Sequence, residues 1–440
     1  MGEKIIVAGL GHGGIVTAAL LAGAGFDVTV YEKKSEGTLG YDWTDMFDPK
    51  ALDFAGIPMP PRDKFKYKED MTFCGPSSKK FLTQYIPERR MEIIMERKDI
   101  YTHLIDYAVQ KGVKIVYDCD VLGPVLIGDR VVGIKTSKGS FTGDLVIDSC
   151  GVNSNVRRNL PKILGIPNEV ESDDKITIYR AFYNKCSDIA VKEKFKIILY
   201  AGGKPGLSWV ASHDEYTDVL IGRFKGFNEA EAYKFTDFLR RSNPRLGTER
   251  IRGGQFVDIP VRHNISVMVA DGYAAIGDCA CMAVPLIGSG IANSIRAGKI
   301  LADTVIADKA CFYSAETLWD YQVKYFCTIG TFLAPLECVK RGLLKLTVQD
   351  IDYCFESEII TSEDMKIVAQ LTKTRESFEI LKKEVLKKIK GIKGHKRLVS
   401  VAFSVLVRMG KVLAIASQMP KKWDRKKVVK WAKAYDKAFK

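Results

Sequence analysis

The sequence predicts an α/β protein in three parts. A discontinuous nucleotide-binding domain is expected over residues 1–170 and 255–310, and a mixed β-sheet domain over 171–254 with contributions from 40–96. A helical C-terminal region should fill residues 311–440. Three observations predict this. A strand, a glycine turn, a helix and a second strand follow one another over residues 4–32, short strand-like runs crowd residues 175–265, and strand signals fade from about residue 290. The 440-residue chain can bury a large core. Its 46% apolar and 27% charged residues exclude a disordered or fibrous chain.

The first unit reads "KIIVAGL", then the turn "GLGHGG", then "GIVTAALLAGAG" and "DVTVYEK". Gly9, Gly11 and Gly14 stand where a dinucleotide fold needs a tight turn, a close approach of backbone to pyrophosphate, and close helix–strand packing. His12 and Gly13 fill the places between and face the same anion. The helix start favours negative charge through its unpaired N–H groups. Glu32, followed by Lys33, ends the second strand where a carboxylate accepts from ribose hydroxyls and disfavours a 2′-phosphate. Glycines of an ordinary strand-to-helix turn are the plain alternative. No second turn of this spacing follows, because "YAGGKPGLSW" runs into a strand-like segment, so a separate NADPH domain is not expected.

Two later motifs narrow the nucleotide. "DLVIDSCGVNSNVRR" (144–158) carries Val146, Ile147, Asp148, Gly151, Ser154, Val156 and Arg157. "GDCACMAVPLIGSGI" (277–291) carries Gly277, Asp278, Ala280, Pro285, Gly288, Gly290 and Ile291. With the N-terminal turn, and in this order, they resemble the glutathione-reductase-type FAD-binding Rossmann fold of the p-hydroxybenzoate hydroxylase superfamily, and within it the geranylgeranyl reductase family. The resemblance covers about residues 1–330. It implies FAD as cofactor, Asp278 on the ribityl chain, the Pro285–Gly290 loop beside the flavin ring, Arg97 on the phosphate or ribityl chain, and Val121 touching adenine through its backbone. A surface arginine opening a helix is the other reading of Arg97. Independently of the family, a helix beginning at Ile291 would stabilise negative charge on a reduced flavin.

The resemblance also implies a hydride-transferring reductase that saturates a carbon–carbon double bond of a hydrophobic, isoprenoid or lipid-like substrate. A flavin monooxygenase or halogenase of the same superfamily, and an electron-carrying or redox-sensing flavoprotein, are the alternatives. Flavin reduction would come from NAD(P)H, reduced ferredoxin or another donor, a protein among them. Trp209 stands in the segment that resembles the family's aromatic substrate pattern, although Leu207, Ala211 and Ser212 depart from it; ordinary sheet packing also explains it. For proton delivery, "GYDWTDMFD" (40–48) offers Tyr41, Asp42 and Asp45, where apolar surroundings could keep an aspartic acid protonated. A solvated turn is the alternative. His213 and Cys279 are weaker candidates, and no metal site is expected.

The charge is concentrated at one end. The net charge is +14, but residues 381–440 hold 19 basic and 3 acidic residues, leaving −2 for residues 1–380. Residues 378–392 place Phe378, Leu381, Val385, Ile389 and Ile392 on one helical face. Residues 397–411 form an apolar helix with a narrow polar stripe of Arg397, Ser400, Ser404, Arg408 and Lys411. The last segment interleaves Trp423, Trp431, Tyr435 and Phe439 with lysines. This pattern predicts contact of residues 378–440 with an anionic membrane surface, with the aromatics as anchors. A helical cap packed on the core is the alternative, and no nucleic-acid-binding module accompanies the charge. Ten scattered cysteines and a strand-like run directly after Met1 point to a reduced, cytoplasmic chain, peripherally attached to membrane.

Overall fold

The computed structural model describes residues 2–84, 92–364, 383, 386–389, 392 and 394–440. Its central sheet has six strands in the order Val269–Ala270, Tyr273–Ala275, Leu145–Asp148, Lys4–Ala8, Asp27–Tyr31 and Lys114–Val116. All neighbours are parallel except the first pair. Unbroken apolar runs such as "IIVA" and "LVI" suit strands covered on both faces. The helices His12–Gly23 and Ile291–Ala307 pack closely because both lack side chains at the crossing: a methyl on Gly298 would stand 2.8 Å from the Gly13 carbonyl oxygen. Helix Arg97–Gln110 packs on the first of these helices.

A second sheet of seven strands carries the other face of the crevice, in the order Leu246–Pro260, Lys175–Lys185, Tyr216–Phe224, Gly206–Ser212, Phe195–Leu199, Met71–Cys74 and Phe81–Gln84. The expected return to the first domain at 255 falls inside its edge strand. Leu246–Pro260 pairs along the whole of Lys175–Lys185, with irregular register around Gly253, so the chain leaves this sheet only after Pro260. Between the two sheets lies a small one, Thr44–Phe47, Ile93–Glu96 and Phe65–Tyr67, which carries the segment after the first βαβ unit. A three-stranded antiparallel sheet spans Val121–Thr142, with turns at the glycine-containing positions the sequence marks.

The C-terminal region is helical among its described residues: Ala315–Tyr325, a π-turn at Phe326–Gly330, Thr331–Leu343, Val348–Glu356, Lys396–Ser417 and Arg425–Ala438. Most of the amphipathic stretch at 378–392, including Phe378, Leu381 and Val385, lies outside the described residues. The tail aromatics correct an expectation. Tyr435 and Phe439 are buried, Phe439 stacks on His263 with ring centroids 3.7 Å apart, and the Trp431 indole donates to the Ile415 carbonyl at 2.9 Å. Trp423 rests on Trp319 at 5.2 Å. Burying such rings on the core yields about 1.5–3 kcal/mol each, so they fasten the last helix to the protein and are withdrawn from lipid. Asp436 completes the attachment by accepting from Ser266 Oγ at 2.7 Å. All ten cysteines are free thiols.

Candidate functional site

The carboxyl ends of the parallel strands meet at one crevice, where open α/β sheets bind ligands. The glycine turn sits there for reasons visible in its packing. Gly9 has φ +82° and donates to the Tyr31 carbonyl at 2.8 Å. A side chain on Gly11 would collide with Ser149 Oγ, and one on Gly14 would stand 2.6 Å from Ser149 Cβ. A methyl on Gly13 would meet Ile276 at 2.8 Å and the Ser294 carbonyl at 2.9 Å. The turn therefore nests against Ser149 and against the start of the helix Ile291–Ala307. Gly11 precedes the first helix without a side-chain cap, and Gly290 precedes Ile291–Ala307 likewise, so both helix starts keep open N–H groups.

Glu32 is buried, and its carboxylate accepts from the backbone N–H of Leu10 at 2.8 Å and of Lys34 at 2.9 Å. It thus braces the turn. Lys33, beside it, is exposed. The Val121 carbonyl accepts from the Asn155 amide at 3.1 Å. The motif at 144–158 forms a buried clasp: Asp148 accepts from Ser154 Oγ at 2.6 Å and Tyr273 Oη at 2.9 Å, and Arg157 donates to the carbonyls of Cys279, Val152 and Asn168. That clasp fixes the Gly277–Ala280 turn, in which Gly277 has φ +66°. Cys279 is buried within it.

The turn presents Asp278. Its carboxyl has no hydrogen-bond partner among the described residues, stands 3.4 Å from where a methyl on Gly290 would lie, and has a pKa raised to about 6 by burial, opposed by the charge of Arg97. The loop Pro285–Gly290 folds on itself through Gly288 N–H to the Val284 carbonyl at 2.8 Å and Val284 N–H to the Ser289 carbonyl at 2.9 Å. Gly288, at φ +67°, approaches Ile259 of the second sheet. Arg97 opens its helix but is not a free surface group. It forms a bidentate ion pair with Asp45 and lies over the rings of Tyr41 and Trp43 at 5.1 and 5.6 Å.

His12 joins the same cluster. Its ring lies 4.7 Å from Tyr101, its Nε2 is buried without a partner, and burial together with the Arg97 charge lowers its pKa to about 3. The imidazole is neutral. Tyr41 lies tilted against Trp43 with ring centroids 4.8 Å apart, and burial raises its pKa. Asp42 does not occupy the apolar surroundings expected of a protonated acid: it is exposed, pairs with Arg252 at 3.0 Å and accepts from the Gly253 N–H at 3.2 Å. Asp45, bound to Arg97, is likewise engaged as a carboxylate.

Opposite this cluster the second sheet supplies an apolar wall. Trp43, Ile178, Phe182, Leu220 and Val261 form its buried core, with Tyr41, Trp209 and Ile259 packed against them. Tyr41 and Trp209 thus share one cluster. The Trp209 indole donates to Asp218 at 3.3 Å, and Asp218 is held by buried Arg180, which also donates to Thr44. His213 lies at the edge of that cluster, its ring 4.6 Å from that of Tyr216, which packs against the cluster. Among the described residues no group of His, Cys, Asp and Glu could hold a metal ion.

These residues fit a flavin dinucleotide: two helix starts without side-chain caps for anionic groups, the half-buried carboxyl of Asp278, and an imidazole nitrogen of His12 buried without a partner among the described residues. No family model matches the chain. Similar proteins are nonetheless found. A digeranylgeranylglycerophospholipid reductase of Sulfolobus acidocaldarius is 22% identical over 376 residues, 82% of each chain. A geranylgeranyl bacteriochlorophyll reductase-like structure from Thermoplasma acidophilum superposes with TM-score 0.72 over 92% of this chain and 100% of that one, at 20% identity. The chain is thus similar to proteins named as reductases of geranylgeranyl compounds, and it shares the fold of one such structure. A p-nitrophenol 4-monooxygenase from Pseudomonas putida shares the fold more distantly, with TM-score 0.60 at 16% identity over 85% of this chain and 99% of its own.

Several parts of the crevice escape the sequence reading. Tyr101 and Trp43 sit in ordinary helix and strand contexts, and only the fold brings them to His12 and Arg97. Ser149 shows no signal except its place at the end of a parallel strand. The Arg180–Asp218 pair is hidden because its partners lie 38 residues apart on neighbouring strands.

Proposed function

We propose that this chain is an FAD-dependent reductase that saturates a carbon–carbon double bond of a hydrophobic, lipid-like substrate. The observation that carries the reading is the junction of two surfaces: the Asp278–Pro285–Gly290 side of a dinucleotide crevice abuts the apolar wall of Trp43, Trp209 and Phe182 through the Gly288–Ile259 approach. Reduced FAD supplies a hydride when bound. The names of the similar proteins, reductases of geranylgeranyl lipids, support an isoprenoid alkene as the substrate class.

The chain's residues divide the remaining work. The N–H groups around Gly11–Gly14 bind the diphosphate, with His12 beside them. Glu32, with Lys33 after it, would hold the adenosine ribose, and the Val121 backbone would hold adenine. Asp278 would hold the ribityl chain together with Arg97, which Asp45 fixes. Pro285, Gly288 and Gly290 let backbone approach the ring, and the helix beginning at Ile291 favours negative charge at its start. Gly9, Gly13 and Gly277 shape these turns. Tyr41 holds a proton at Oη, kept there by burial, and donates it to the second alkene carbon. Trp209 positions the apolar chain, and the closely packed wall excludes water.

The reductant is an external NAD(P)H, ferredoxin or protein donor. The enzyme is cytoplasmic and works at a membrane surface, which the basic C-terminal helices support. Chemical reduction of the FAD-loaded protein with dithionite in the presence of a polyprenyl lipid tests the reading. Mass spectrometry should find two hydrogens added per double bond. An unchanged lipid, or a product carrying added oxygen in air, overturns it.

A further inference from the structure

The helix Lys396–Ser417 is 22 residues long and, by length and composition, apolar enough to cross a membrane, but one side of it packs on the protein. Leu398, Met409, Val412 and Ala416 are buried, in a helix that packs on Thr331–Leu343 and on the C-terminal helix. Spanning a bilayer would tear this side from the core. At about 100° per residue, the arc facing away from that buried side carries Phe403 and Val407, with Val399 and Leu406 on the flank beside them, and Phe403 is 63% and Val407 57% exposed. These two are among the most exposed large apolar side chains in the described residues.

The border of that arc is basic. Ser400, Ser404 and Lys411 run along one side and are exposed; Lys396 and Arg397 stand at one end of the helix, and Lys421 and Lys422 just past the other. Residues 396–440 contain 13 basic and 2 acidic residues. A second copy docked by the same arc would bring these cations together, whereas a sheet of anionic headgroups neutralises them.

Deepening the membrane element of the function proposed above, on which it rests, we propose that this arc of Lys396–Ser417 lies flat on an anionic bilayer, with Phe403 and Val407 in the acyl boundary and the flanking lysines on the headgroups. The tail aromatics take no part, being committed to the core. A helix in this position buries its apolar face to a depth of about 5–10 Å, and lysines near the surface add attraction to anionic headgroups.

Flotation of the full-length protein with vesicles of phosphatidylglycerol or of phosphatidylcholine tests this. The wild type should partition at least tenfold better onto phosphatidylglycerol. The double variant Phe403→Ser, Val407→Ser should bind at least tenfold more weakly, and the triple variant Lys411→Glu, Lys421→Glu, Lys422→Glu on the order of a hundredfold more weakly, both with unchanged circular dichroism and melting temperature. Binding of the double variant equal to wild type overturns the proposal, as does equal binding to both lipids. A dimer in solution that the double variant dissolves, with no flotation, would assign the arc to a second copy and overturn it too. Flotation without any alkene saturation would retain the docking face and end the reductase reading; saturation of a detergent-dispersed alkene without flotation would do the reverse.

Discussion

The guanidinium of Arg157 donates to the carbonyl oxygen of Cys279, so a residue of one motif holds the turn that presents Asp278 in another. Arg157 is fully buried and also satisfies the carbonyls of Val152 and Asn168. Arg157 thus positions the turn of another motif. Arg157→Met leaves these acceptors unpaired in the interior and should cost about 3 kcal/mol or more. Urea unfolding of the variant, alongside the flavin content of the purified protein, checks this; wild-type stability would contradict it.

Asp278 gives a pH signature. Its pKa is raised from 3.8 to about 6 by burial, so the folded chain holds the proton more tightly than the unfolded one. The resulting stability is complete below pH 3.8 and is lost as the pH rises through about 6. In cofactor-free protein, Asp278→Asn should therefore gain up to about 3 kcal/mol over wild type at pH 8 and little near pH 4, while FAD affinity falls. Chemical denaturation at the two pH values reads the difference, and a gain that is the same at both would refute the assignment.

His12 behaves oppositely. Its pKa is lowered from 6.5 to about 3, so the unfolded chain takes up a proton below pH 6.5 that the folded chain refuses, and stability falls with pH across that window. His12→Leu removes this slope and the orphaned Nε2, so the cofactor-free protein should melt higher while FAD binds more weakly. His12→Gln, which retains a polar group, should recover part of the affinity. If His12→Leu bound FAD as tightly as wild type, the imidazole would have no role in the crevice.

The nucleotide crevice was legible because it is built from local signals. Turns that need glycine at φ +82° and +66°, and parallel strands that need unbroken apolar runs, leave their mark in a few consecutive residues. Pairings between distant residues leave none. Asp45 read as an acid among aromatics, yet Arg97, 52 residues later, claims it as a counter-ion; Asp42 likewise belongs to Arg252. The tail shows a different limit. Helical periodicity located the apolar faces carrying Trp431, Tyr435 and Phe439, but a period does not say whether lipid or the protein core covers a face, and here it is the core.

The apolar wall yields a kinetic prediction. Asp218 fixes the Trp209 indole and is itself buried against Arg180, with side chains 3% and 6% exposed. Asp218→Asn breaks a buried pair and should destabilise the protein by about 3–5 kcal/mol. Trp209→Phe keeps the pair and removes only the hydrogen bond and part of the ring. It should raise KM for long apolar alkenes severalfold with little change in kcat, whereas a fall in kcat at constant KM would place Trp209 at the reacting atoms instead of along the chain.

The most direct test of the account is anaerobic stopped-flow mixing of the photoreduced FAD-loaded protein with a geranylgeranyl lipid. The account predicts that the flavin reoxidises without oxygen, in step with saturation of the alkene, and that Tyr41→Phe slows this step. A flavin that stays reduced until oxygen is admitted, and then yields an oxygenated product, would contradict it.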